Sequence, residues 1–364
     1  MFENPFTPSF GEIPAHLAGR RDIVESLVRA FESERRRPEL TSILSGARGT
    51  GKTALLSYVS QQASQRGWIV ADTTAIPGML EDIELRARRQ AARLVAQEGG
   101  VHVSAVDIPQ LFDVEFERDE RPSGNWRSRM DDMLDQLEPL GTGLLITVDE
   151  VDVNLDEMVQ LAAVYQHFVR EGRKVGLLMA GLPHAVSALL NNKSVSFLRR
   201  AQLWTLGRID DYEVEAALFA TIREAGRTVA AADVRRAAEA IGGFPYLMQL
   251  VGYRAWDVDP MSRELSTSDI DAGIDLGRRE MNARVLRSTL LDLSAGDRDF
   301  LCAMLQDEGD SLTGDIEKRL GWSSAQVAQY RRRLIEAGVI GARGRGVVGF
   351  DLPFFRDYLL SEEL

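Results

Sequence analysis

Gly46-Ala47-Arg48-Gly49-Thr50-Gly51-Lys52-Thr53-Ala54 is the stretch whose reading decides the fold. Binding a phosphate group requires several backbone N–H groups to converge on one anion, and bulky side chains would obstruct that approach; the glycines at 46, 49 and 51 relieve the constraint. A helix starting near Lys52 brings the positive end of its dipole to the same point. Lys52 then supplies a full charge for the β- and γ-phosphates of ATP, and the Thr53 hydroxyl is placed for Mg²⁺. The loop follows the apolar run Thr41-Ser42-Ile43-Leu44 and precedes a helical pattern over 52–65. Strand, glycine loop and helix in that order are the context the motif needs.

Outward from the loop, further apolar runs occur at Trp68-Ile69-Val70-Ala71, Leu144-Leu145-Ile146-Thr147-Val148 and Val175-Gly176-Leu177-Leu178-Met179-Ala180, with a weaker one at Gln202-Leu203-Trp204-Thr205-Leu206. Helical patterns over 80–97, 127–137 and 155–170 separate them. This alternation predicts an α/β core, a parallel sheet with helices on both faces. Runs without polar alternation suit strands buried on two sides. The run at 144–148 ends in Asp149-Glu150. Two acids after a strand are common as a solvated strand end. Paired with the glycine loop they form the second half of a site at the C-terminal edge of the sheet. Asp149 is expected to hold Mg²⁺, and Glu150 to polarise the water that attacks the γ-phosphate. Asp152, close by, reads as a helix cap or surface charge.

Residues 99–117 alternate and suggest an inserted hairpin or edge ribbon, followed by a polar loop over 118–125. From about Asp210 the pattern becomes helical, with helices expected over 211–224, 232–240, 246–256 and 268–290. From Ser294 onward, three short helices (295–305, 312–320, 324–337), a glycine-rich hairpin around Gly341-Ala342-Arg343-Gly344-Arg345-Gly346 and a final helix give the layout of a winged helix-turn-helix. The expected organisation is a P-loop NTPase domain over 1–207, an α-helical lid over 208–292 and a winged-helix domain over 293–364. In the third short helix Val327, Tyr330, Leu334 and Ile335 face inward, leaving Gln326, Gln329, Arg332 and Arg333 outward. Between Lys318 and Phe350 the basic residues Lys318, Arg319, Arg331, Arg332, Arg333, Arg343 and Arg345 meet one acid, Glu336. Gln and Arg reach base edges and an arginine-tipped hairpin reaches phosphates, so Gln326, Gln329, Arg332, Arg333, Arg343 and Arg345 are the candidate duplex-DNA contacts. The alternative is a winged helix that binds protein or packs on its own ATPase.

The net charge of −12 argues against a wholesale nucleic-acid coat but leaves room for a local basic patch. No apolar run approaches the roughly 18 residues that span a bilayer, and the first residues lack a secretory pattern. The single cysteine, Cys302, reads as a packed small hydrophobe and excludes an internal disulfide. A cytoplasmic protein without membrane partners is expected. His16, His102, His167 and His184 are scattered, with no ligand spacing for zinc.

Glycine loop, acid pair, helical lid and terminal winged helix, in this order, resemble AAA+ ATPases of the origin-recognition initiator type, and more closely a broad group of prokaryotic ATPases related to them. Leu17-Ala18-Gly19-Arg20-Arg21-Asp22 looks like the hydrophobic-Gly-Arg segment that in this group packs near the adenine, which implicates Gly19 and Arg20; its plainer reading is a turn leading into a helix. Gly242-Gly243-Phe244-Pro245-Tyr246 is similar to the Gly-x-Pro segment of the STAND signalling ATPases, where the proline lies against the base, and so implicates Pro245. Its plainer reading is a helix stop followed by proline at the next helix start. Arg199 and Arg200, before the fifth strand, stand where AAA+ proteins often present an arginine finger to a neighbouring subunit, implying a homo-oligomer; a solvated basic corner reads the same way. Two departures matter. Gly181-Leu182-Pro183 has no Asn or Thr as a first sensor, and the lid has no clear sensor arginine. Slow or partner-dependent hydrolysis is therefore expected. The leading reading is an ATP-binding ATPase that switches a DNA-binding winged helix, with ATP and ADP as ligands. Its rival is a STAND-like signalling or scaffold switch, and a metabolic kinase using the same loop is a third possibility.

Overall fold

A computed structural model describes residues 1–9, 11–98 and 125–362. The ribbon expected over 99–117 lies outside them, as does all but the last residue of the loop expected over 118–125. Five strands, β1 (Thr41–Gly46), β2 (Ile69–Thr74), β3 (Leu144–Asp149), β4 (Val175–Gly181) and β5 (Gln202–Leu206), pair in parallel in the order β2-β3-β4-β1-β5. This is the parallel sheet read from the alternation of patterns. Successive residues of a strand serve opposite faces. Leu44 of β1, Leu145 of β3 and Leu178 of β4 pack with the helices α1 (Arg21–Glu32) and α2 (Lys52–Ser64). Ile43, Ile146 and Met179 pack on the other face with α3 (Met79–Glu98), α4 (Trp126–Leu137), α5 (Asp156–Arg170) and α6 (Pro183–Asn191). Burial on both faces is why these strands carry no polar alternation, each buried aliphatic side chain contributing about 1.5–3 kcal/mol.

Trp68, expected at the start of β2, instead turns its indole inward, where Nε1 donates to the Phe31 carbonyl at 3.0 Å. Helix α1 follows the turn that was the plainer reading of residues 17–22, whereas α6 was not expected from the sequence patterns. Nor was the N-terminal strap, where Phe6 is buried against the helices beyond β5, the Thr7 amide donates to Gln249 Oε1 at 3.0 Å and the Phe2 amide donates to the Pro260 carbonyl at 3.1 Å.

Beyond β5 come α7 (Asp211–Glu224), the short strand β6 (Thr228–Val229), α8 (Ala231–Ile241), α9 (Pro245–Val258), β7 (Glu264–Leu265) and α10 (Thr267–Met281). The single helix expected over 268–290 is interrupted: a π turn at Asn282–Leu286 separates α10 from α11 (Arg287–Asp292). A π turn inserts one residue into the helical repeat and rotates everything after it, here just where the chain passes to its last module. That module comprises α12 (Ala295–Leu305), β8 (Ser311–Leu312), α13 (Thr313–Leu320), α14 (Ser324–Glu336), β9 (Ile340–Gly344), β10 (Val347–Phe350) and α15 (Phe355–Ser361). Its sheet runs β8-β10-β9, so the hairpin gains a third strand that was too short to read from the sequence. This is a winged helix. Met281, Leu286, Leu290 and Leu293 carry one apolar cluster from the helical module into it, reaching Phe300, Leu334 and Phe355.

Candidate functional site

β1 ends at Gly46 and α2 begins at Lys52, so the glycine loop turns through the five residues between them at the C-terminal edge of the sheet. Gly49 and Gly51 hold φ of 80° and 84°, a region that side-chain-bearing residues enter only with strain. The Thr50 hydroxyl is buried and donates to the Ala47 carbonyl at 2.8 Å. Lys52 Nζ donates to the Gly46 and Ala47 carbonyls, each at 2.8 Å, so the loop is coiled around its own ammonium. Burial pulls that amine down to about 8, against the opposing pull of Asp149 and Glu150. A desolvated cation without a directly bonded carboxylate is poised for an anion.

β3 delivers the acids. β4 separates β3 from β1, yet Thr53 Oγ1, on the first turn of α2, donates to Asp149 Oδ2 at 2.6 Å. The other Asp149 oxygen accepts the Glu150 amide at 2.9 Å. Glu150 has φ of 55°, one of two positive values at non-glycine residues among those described, and its side chain is exposed. Such a conformation costs on the order of 1 kcal/mol or more and persists only where the surroundings hold it. A hydroxyl and a carboxylate meeting beside a phosphate loop are the hard oxygen donors that suit Mg²⁺, which keeps waters and takes few protein ligands. Among the described residues no group of three or more His, Cys, Asp or Glu forms a metal cage. At the end of β4, a side chain in place of Gly181 would collide with Val151 Cγ2, so the residue after the acid pair packs against the strand end that carries no Asn or Thr.

Residues 16–179 match the family described as AAA ATPase domain. This part of the chain is an AAA ATPase domain. Residues 283–359 match a domain of unknown function (DUF8462). Among solved structures, the ORC2 protein of Aeropyrum pernix is similar over 97% of this chain and 95% of its own, at 15% identity and a TM-score of 0.67. A Walker-type ATPase of Pyrococcus abyssi is similar over 94% and 96%, at 14% identity and a TM-score of 0.67. Cdc6p of Pyrobaculum aerophilum is similar over 98% of both chains, at 15% identity and a TM-score of 0.51. Among curated proteins none matches. At these identities the shared property is the fold.

The other residues singled out in the sequence fall around the AAA ATPase domain's loop in two groups. The first touches it. Arg20 is buried, and its guanidinium donates to the carbonyls of Thr50 at 3.3 Å, Gly207 at 2.8 Å and Gly19 at 3.2 Å. The Tyr246 amide donates to the Gly49 carbonyl at 3.3 Å, and a side chain at Gly49 would meet the Phe244 ring at 2.6 Å. Pro245 lies beside Gly51. The second group stands apart. Arg199 Nε donates to the Leu190 carbonyl at 2.9 Å, and both Arg199 and Arg200 face solvent.

The basic run of the winged helix is largely neutralised by acids from outside it. Arg319 is paired with Asp307, Arg333 with Asp297, Arg343 with Asp351 at 2.6 Å and Lys318 with Asp315. Arg332 lies 3.8 Å from Glu336. Gln326 is spent on the N-cap of α14, accepting the Ser323 amide at 3.1 Å. Gln329 is exposed. Among the described residues Arg331 and Arg345 have no acid partner, and both line the groove between α14 and the wing.

Sequence reasoning missed the contact between the loop and the C-terminal module. Gly338, just past α14 with φ of 70°, lies so close to the loop that a side chain there would collide with Ala47 Cβ. Arg48 is paired with Asp292 at 2.8 Å. Ala47, Arg48 and Asp292 border a cavity of about 340 Å³ lined also by Leu182, His184 and Arg333. A glycine after a helix signals positive φ, but not what it touches. Gly338→Ala is therefore expected to destabilise the protein by about 1–3 kcal/mol, from crowding plus the left-handed backbone. A further Ala47→Gly substitution should recover the crowding part, as read from thermal melts of the single and double variants.

Proposed function

We propose that this chain is an ATP-driven switch in which the bound nucleotide sets how the helical lid and the winged helix sit on the AAA ATPase domain, and that the winged helix binds duplex DNA. The observation that carries this reading is that one phosphate-binding loop touches both other modules: Gly49 meets Phe244 and Tyr246 of the lid segment and Arg48 pairs with Asp292 at the lid's end, while Ala47 meets Gly338 of the winged helix. An anion that displaces Lys52 from the Gly46 and Ala47 carbonyls acts on the same residues.

In this reading the residues from Gly46 to Ala54 cradle the phosphates, Lys52 bridges the β- and γ-phosphates, and Thr53 with Asp149 holds Mg²⁺, which neutralises phosphate charge when bound. Glu150 orients the attacking water and receives its proton. Gly19 and Pro245 border the base. Domain limits of 1–207, 208–292 and 293–364 put the first hinge at Gly207 and the second just past α11. Arg199 and Arg200, facing solvent, are placed to serve a neighbouring copy; hydrolysis that rises steeply with protein concentration and falls on Arg200→Ala is the expected sign.

For DNA, the exposed Gln329, Arg332 and Arg345 and the unpaired Arg331 are the supporting residues. Arg333 and Arg343 join only if their ion pairs exchange for phosphates, and Gln326 only if it leaves its cap. The test is fluorescence anisotropy with a duplex across a salt series. Binding should weaken steeply with salt, and Arg331→Ala or Arg345→Ala should each reduce the log–log slope by about one. No binding at low salt would reject the DNA reading. The ion pairs on Arg319, Arg333 and Arg343 favour the second reading, a signalling switch whose winged helix meets protein.

A further inference from the structure

Arg20 is an expensive residue to bury. It is 8% exposed, and among the described residues no carboxylate lies within ion-pair distance. Burial pulls its pKa down, with Glu213 opposing. Its donors go to three backbone carbonyls from three separate segments: Gly19 in its own turn, Thr50 in the phosphate loop and Gly207 immediately after β5.

The Thr50 bond bears on the loop's function through the geometry of one peptide unit. No peptide bond among the described residues is cis, and in a trans peptide the carbonyl and the following N–H point in opposite directions. Fixing the Thr50 carbonyl on Arg20 therefore turns the Gly51 N–H to the other side, the side on which an anion at the α2 N-terminus must sit. The Gly207 bond bears on the lid. Ile209, two residues on, donates its amide to the Gly243 carbonyl at 2.8 Å, and Arg208 Nε donates to the Gly242 carbonyl at 2.6 Å. Three residues after Gly243, Tyr246 returns to the loop at Gly49. One guanidinium thus closes a ring of contacts from phosphate loop to lid hinge to lid turn and back.

We infer that Arg20 is a positioning residue for the triphosphate: without touching the nucleotide, it aims the Gly51 N–H and ties the phosphate loop to the lid hinge at Gly207. A lysine retains the charge there but not the planar fork of donors, so charge and geometry are separable. The inference rests on the nucleotide-binding reading of the loop.

The experiment is a titration of the full chain, with Mg²⁺, using a fluorescent ATP analogue, on the unsubstituted protein, Arg20→Ala and Arg20→Lys. The unsubstituted chain binds. Both variants weaken by about tenfold to a hundredfold, the scale of one lost charge-assisted hydrogen bond. Guanidinium ion, added below unfolding concentrations, restores Arg20→Ala and leaves the unsubstituted chain unchanged. In hydrogen exchange, the Ile209 amide exchanges faster in both variants. Arg20→Lys binding as tightly as the unsubstituted chain would overturn the inference by showing that charge suffices. Weakening in Arg20→Ala that guanidinium does not reverse would overturn it too, since a general packing loss behaves that way. If the unsubstituted chain fails to bind, the nucleotide reading falls and takes this inference with it; a binding chain with unaltered variants sinks this inference alone.

Discussion

The Lys52→Ala protein binds ATP at least about a hundredfold more weakly than the unsubstituted chain, and melts at the same temperature or higher. The affinity loss follows from removing a full charge with several donors from a partly desolvated site, where each hydrogen bond to a charged group is worth about 1.5–3 kcal/mol. The effect on stability follows from the structure. The ammonium now satisfies only the Gly46 and Ala47 carbonyls, and its burial already pulls it down to about 8. A group that burial makes costly to keep charged is no pillar of the fold. Isothermal calorimetry and differential scanning calorimetry read the two quantities separately. Equal ATP affinity would refute the phosphate role, whatever the melting curve did.

Replacing Glu150 by glutamine lowers phosphate release by about 10²–10⁴-fold, the range of a lost general base, while ATP affinity stays within a few-fold. Glutamine keeps the length and shape of the side chain and leaves the backbone at its φ of 55°, so geometry is preserved and proton acceptance is not. Asp149, bonded to Thr53, is untouched by the change. Single-turnover phosphate release alongside equilibrium binding distinguishes this from a binding defect. Hydrolysis surviving at the original rate would remove Glu150 from the chemistry.

Much of the site was legible because its chemistry is local. Glycines at 46, 49 and 51, a lysine and a threonine are one continuous stretch, and the strand before and helix after it declare themselves by buried apolar runs and period. The acid pair could be read because β3 is buried on both faces and must end where carboxylates can reach solvent. What failed were the inferences that treated neighbouring residues as a unit. The basic run of the winged helix looked uncompensated between Lys318 and Phe350, but its acids arrive from Asp297, Asp307, Asp315 and Asp351, outside that window. Within the helix expected over 268–290, the π turn Asn282–Leu286 itself contains no glycine or proline that would mark it.

By itself, the sequence determined that a parallel sheet would present a phosphate loop and two carboxylates at one edge, since period, glycine placement and strand burial are properties of contiguous residues. Only the tertiary structure decided which surfaces that loop touches. Gly338 against Ala47, Asp292 against Arg48, Phe244 on Gly49 and Arg20 on Thr50 join residues far apart in the chain, through backbone approaches and single hydrogen bonds that leave no periodic trace. Such contacts depend on where whole modules come to rest, and that is fixed by the shared core through Leu286, Leu290 and Leu293.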